Sequence, residues 1–159
     1  MGSGFARQRG FTLPELIAVL LLVGILSVSV IPKLQGVLSY RDDAWRDQVI
    51  AALHYAHKAA VSHRRLVCAN VDTDGVTLSI ASANPATSCG AALPGLDGQT
   101  HFAASKGAAA ATVSPAGPLY FQPSGRVSAD GAGSSALSRT VGIAGTASIV
   151  LVGETGHVE

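Results

Sequence analysis

A chain of 159 residues has room for one globular domain plus whatever its ends contribute, so no second core is expected. With 13% charged residues and a formal net charge of +1, it lacks the electrostatic excess of a dedicated nucleic-acid binder, and polyanion binding is not expected. Its 18 glycines and few aromatic residues suit short strands and loops over a modest core.

Residues 11–31 form an apolar run in which Glu15 is the sole charge. As a helix rising about 1.5 Å per residue, the run would span roughly 31 Å, the thickness of a bilayer's hydrocarbon core. Arg7 and Arg9 precede it without any acidic residue, so the positive-inside bias keeps the first residues cytoplasmic and sends the rest of the chain outward. A cleavable secretory signal would explain the basic start and could use Ser27-Val28-Ser29 as a small-residue cleavage site. A plain transmembrane anchor would explain the length and orientation. It would leave the Glu15 carboxylate unpaired, at a cost on the order of 3 kcal/mol if carried deep into the bilayer.

Helical periodicity continues past the apolar run. Trp45, Val49, Leu53, Ala56 and Ala60 share one face, whereas Asp43, Asp47, His54 and Lys58 share another, which predicts an amphipathic helix to about Arg65 and a stem of roughly 80 Å in all. Pro32 removes one hydrogen bond from that stem, so a kink or a locally melted stretch is expected over residues 28–36. After Arg65 the period changes to two. Val67, Ala69 and Val71 alternate, residues 72–75 supply turn chemistry, and Val76, Leu78 and Ile80 alternate again, which predicts a β-hairpin. Residues 82–98, rich in Pro, Gly, Ala and Ser, read as a loop. Further strands are predicted at residues 101–104, 112–114, 119–122, 126–129, 140–143 and 148–152, with the last, the most apolar, placed centrally. Residues 106–111 and 130–138 read as surface loops.

Cys68 and Cys89 are too few for a disulfide scaffold and lack metal-ligand spacing. They either close one loop as a disulfide or remain unpaired thiols, one in a strand and one in a loop. An exported domain favours the bridge.

The stretch Arg9-Gly10-Phe11-Thr12-Leu13-Pro14-Glu15-Leu16-Ile17 resembles the prepilin signature of type IV pilins and type II secretion pseudopilins. The resemblance implies an α+β pilin fold: a long N-terminal helix, half transmembrane and half amphipathic, packed on a small antiparallel sheet domain. It divides the chain into a leader at residues 1–10, a membrane and filament-core helix at 11–31, an amphipathic helix at 32–66 and a β-rich extracytoplasmic headgroup at 67–159. It also implies that a membrane aspartyl peptidase cuts after Gly10 and methylates the new amine of Phe11. Glu15 then compensates the amine of a neighbouring subunit. Pro14 departs from the branched aliphatic residue usual in the family, at a position in the first helical turn where proline is tolerated. The stretches 51–61, in the amphipathic helix, and 120–126 and 155–158, in the headgroup, are similar to those of minor subunits: the minor pseudopilin H, the pilin-like FimT and the MSHA-pilus minor pilin C. Partners implied are other pilins, the prepilin peptidase and an inner-membrane assembly platform.

Enzymatic chemistry is not expected, since no G-x-S-x-G elbow or other local nucleophile signature occurs. No cofactor is expected either. His54 and His57 stand three apart on the helix without a third metal ligand in sequence. Asn70, Asp72 and Asp74 copy the start of a calcium loop, but its twelfth position is Ala81 in place of a bidentate acid, and a hairpin turn is the better reading. Some FimT-like pilins bind DNA through a Gly-Arg-x-Arg motif near the C-terminus. Here the end reads Gly156-His157-Val158-Glu159, which leaves Arg64, Arg65, Arg126 and Arg139 as scattered candidates for phosphate contact.

Overall fold

The computed structural model describes residues 12–95 and 98–159, the side chains of residues 28–39 excepted. One helix, α1 (Leu13–His63), leads into nine strands joined only by antiparallel pairings, an α+β arrangement of a long helix followed by a small sheet domain. The chain divides into two units, Met1–Val37 and Leu38–Glu159, and α1 contributes to both. Residues 28–36 are helical without interruption, so the melted stretch expected at Pro32 does not occur. A proline deletes one rung of the hydrogen-bond ladder and leaves its neighbours to carry the helix.

Within Leu38–Glu159, α1 presents its predicted face to the sheets. Trp45, Val49, Leu53, Ala56 and Ala60 are buried, joined by Ala52 and Ala59. Small residues predominate on this face, which lets the helix seat closely on the strands. The helix ends two residues before the expected Arg65. Arg64 takes a left-handed φ of 51°, Arg65 N–H donates to the Ala60 carbonyl at 3.2 Å, and Arg64 N–H donates to Val61 at 3.3 Å. This is the C-terminal cap in which glycine is the usual residue. Arg64→Gly should therefore raise thermal stability, by about 1 kcal/mol in unfolding free energy, as measured by denaturant titration.

The hairpin forms as predicted from β1 (Val67–Val71) and β2 (Gly75–Ile80), in the register Val67 opposite Ile80 and Val71 opposite Val76. Its turn is held by Asp72, whose carboxylate Oδ1 accepts from Asp74 N–H at 3.0 Å and Gly75 N–H at 2.9 Å. β3 (Ala91–Leu93) and β4 (Ala103–Ala104) both pair with the outer edge of β2. β3 lies inside the stretch read as loop, because Ala-Ala-Leu beside a proline has no alternation to announce it. β5 (Ala111–Ser114), β6 (Leu119–Phe121), β7 (Val127–Ser128), β8 (Arg139–Ile143) and β9 (Ile149–Leu151) complete the domain. The larger sheet runs β3-β2-β1-β6-β7 with β4 beside β2, and the smaller runs β5-β8-β9. β8, not the last strand, is thus central in its sheet. The far side of β9 is covered by the chain's own end, where Val150 and Glu159 exchange backbone hydrogen bonds at 2.7 and 3.0 Å. Phe121, Leu119, Val127, Val141, Ile149 and Leu151 join the helix face in one apolar core.

Cys68 in β1 and Cys89 in the loop after β2 form a disulfide, closing a span of 21 residues. That loop also meets a second one. At Gly131 the backbone comes so close to Thr87 that a Cβ would collide with the Thr87 carbonyl.

Candidate functional site

The helix opens at Thr12, whose carbonyl accepts the first helical bond from Leu16 N–H at 3.1 Å. Glu15, three residues on, turns its carboxylate back to the Thr12 N–H and hydroxyl, both at 3.4 Å. This is one half of a capping box, and the Thr-x-x-Glu spacing announces it in the sequence. Pro14 stands between them in the first turn, where a missing N–H leaves no helical acceptor unsatisfied. The unusual residue is therefore accommodated at its predicted place. Gly10 and Phe11 lie outside the described residues.

From Leu13 to Leu26 the helix has no polar face. Leu16, Ile17, Val19, Leu20, Leu21, Leu22, Val23, Ile25 and Leu26 are all exposed, on every side of the helix. The Ser27 hydroxyl donates to the Val23 carbonyl at 2.7 Å, which satisfies it inside its own helix. A helix that is apolar all round needs an apolar surrounding. Fully covering one such side chain is worth about 1.5–3 kcal/mol. Among the described residues no helix is long and apolar enough to cross a membrane; the described side chains of this run stop at Ser27, whereas the membrane-spanning expectation extends to residue 31.

Residues 5–31 match the family described as the prokaryotic N-terminal methylation motif. The methylation motif supports a type IV pilin or pseudopilin, whose assembly with other pilins and processing by a prepilin peptidase it implies. The match ends at residue 31 and leaves residues 32–159 unassigned. No curated protein and no solved structure matches the chain.

Within Leu38–Glu159, the three stretches singled out in the sequence converge on His57. Its Nε2–H donates to the Gly125 carbonyl at 3.0 Å, and its ring meets Phe121 edge-on with centroids 6.4 Å apart. Gly156 (φ 67°) packs so tightly there that a Cβ would strike the Gly125 carbonyl and the His57 ring. His57 is thus a clasp between helix, β6–β7 turn and C-terminal end. No group of three or more metal-ligating side chains occurs among the described residues. Asn70 Nδ2 donates to Asp72 at 3.4 Å, and Asp72 is engaged by the turn backbone described above.

The four candidate arginines do not form one phosphate-binding set. Arg139 is 4% exposed, and its guanidinium donates to the carbonyls of Pro115, Ala116 and Pro118. Its sequence gave no hint of this, because the loop it ties lies more than 20 positions earlier. Arg126 lies 3.2 Å from the Glu154 carboxylate; its Nε is buried without an aligned hydrogen bond, so the contact is ionic. Arg64 and Arg65 are exposed at the end of α1. Arg139→Met should cost about 2 kcal/mol, less than a fully buried loss, because residues 115–118 are exposed and water can reach their freed carbonyls. Chemical denaturation measures it.

Contacts invisible to periodicity also tie the helix to loops. Arg41 donates to the Lys106 carbonyl at 2.7 Å, Arg46 to Ala147 at 2.8 Å, and Asp42 accepts from Ala109 N–H at 2.8 Å. In the loop after β7, backbone and hydroxyl hydrogen bonds from Ser134 hold the Asp130 carboxyl below its ordinary value.

Proposed function

We propose that the chain is a minor pilin, a structural subunit of a type IV pilus of MSHA-like kind, without catalytic activity. In this reading the peptidase cuts after Gly10, Phe11 becomes the methylated N-terminus, and residues 11–31 hold the subunit in the inner membrane with its headgroup outside. Assembly then extracts that helix into a bundle of like helices. The observation that carries the reading is the junction of the methylation motif with a helix whose apolar side chains are exposed on every side. A membrane and a filament core are the two apolar surroundings such a helix can exchange, at little net hydrophobic cost.

Glu15 supports the same reading. A carboxylate entering hydrocarbon costs several kcal/mol unless it is neutralised, and the free amine created at Phe11 of an adjacent subunit is a partner of opposite charge. The disulfide supports an extracytoplasmic headgroup, since such bonds persist outside the reducing cytosol. Flexing at Pro32 belongs to the proposal as well: one absent hydrogen bond lets the helix bend without unwinding. The resemblance of the headgroup to minor subunits favours a minor over a major role.

The test is filament shearing. Filaments sheared from cells should contain the chain, and Glu15→Ala should leave cleavage intact while removing the chain from the sheared fraction. Absence of the wild-type chain from filaments, with loss of secreted enzymes in a deletion strain, would assign it to a secretion pseudopilus instead.

A further inference from the structure

Opposite the buried face of α1, the residues Asp43, Asp47, Ala51, His54 and Lys58 recur at spacings of four, four, three and four, which keeps them on one row of the helix. All are exposed except His54, which is half-buried. The row is segregated by charge. Both acids stand at one end, and Lys58 stands at the other with exposed Arg65 just past the helix.

The acids are not neutralised by the cations beside them. Arg41 and Arg46 direct their guanidinium groups to the carbonyls of Lys106 and Ala147, and Asp47, with its side chain 80% exposed, keeps only a 4.0 Å approach to Arg46. Among the described residues Asp43, Lys58 and Arg65 form no ion pair. Nor can the ends of the row meet each other. Positions 43 and 58 differ by 15, and about 22 Å of helix separates them.

We propose that this row is a contact surface for a second copy of the chain, in which the acidic end of one helix lies against the basic end of the next. The complementary charges are carried by the same row, so a like copy is the partner that fits it. Small Ala51 at its middle allows close approach. Two alignments would pair the charges: antiparallel, or parallel with one copy displaced by about 22 Å. The choice rests on the proposed function: in a filament both apolar N-terminal segments run the same way within one bundle, which selects the parallel copies, and the length of the bundle accommodates the displacement. A head-to-tail contact of this type repeats without closing. Two adjacent copies suffice to form it, in keeping with a subunit present in few copies.

The test uses the full-length chain, expressed in two tagged forms in cells that assemble the filament and carry an active prepilin peptidase. One form carries Asp43→Cys and the other Lys58→Cys, and a short bismaleimide should link them. Ala51→Cys on both forms should give no adduct, since position 51 meets its own counterpart only in the antiparallel pair. With those probes in place, Asp47→Lys on the first form should lower the linked yield about fivefold, and Arg65→Glu on the second should restore it. No link between positions 43 and 58, an Ala51→Cys adduct, or no restoration would overturn the proposal. The N-terminal mass is read from the same cells. A chain processed to Phe11 without the link sinks this contact and leaves the subunit reading standing, whereas a linked but unprocessed chain does the reverse.

Discussion

Trp45→Ala should lower the unfolding free energy of the Leu38–Glu159 domain by about 4 kcal/mol. Trp45 is the largest of the fully enclosed side chains, 2% exposed, and it packs where α1 meets the core. Removing it leaves a void in that core. Its indole N–H is buried without a hydrogen-bond partner. Trp45→Phe therefore forfeits no hydrogen bond and should cost far less, about 1 kcal/mol. Urea titrations of the two variants separate the volume of the ring from its polar edge; equal losses would show that the N–H is satisfied.

Loss of the disulfide is the second large effect. Closing a span of 21 residues removes enough freedom from the unfolded chain to stabilise the domain by about 3 kcal/mol. The double replacement Cys68→Ser and Cys89→Ser should show that loss in denaturant midpoint. Its structural consequence should be local first. The loop carrying Cys89 touches Gly131 through Thr87, so amide exchange should quicken in both loops before it does in β1. Uniform quickening across the sheet would mean that the bridge supports the whole fold.

The parts of this fold legible in the sequence are those dictated by neighbours in the chain. Spacings of four and three put Trp45, Val49, Leu53, Ala56 and Ala60 on one face, and that face is the buried one. Asp72 and Gly75 supply the turn chemistry, and the hairpin closes around them. What was not legible depends on partners distant in sequence. β3 is a strand because β2 offers it an edge, not because Ala91–Leu93 prefers one. β9 is apolar enough for a central strand, yet pairing places β8 there and gives β9 the C-terminal residues as its other neighbour. Arg139 reads as a surface cation, but the loop at residues 115–118 supplies carbonyls that make its burial tolerable.

The candidate site divides along the same line. Thr12, Pro14 and Glu15 follow from local helix-start rules, and the methylation motif spans residues 5–31 as a contiguous signal. The His57 clasp does not, because its partners Gly125 and Gly156 lie far along the chain and become informative only through their close packing.

Intact mass and N-terminal fragmentation of the chain, taken from native membranes in which the prepilin peptidase is active, decide whether it enters the pilin pathway. The mature chain should begin at Phe11 with a methylated amine. An intact Met1, or a chain beginning at residue 29 or 30, would contradict it, because neither places a free amine where the Glu15 of a neighbouring helix could meet it.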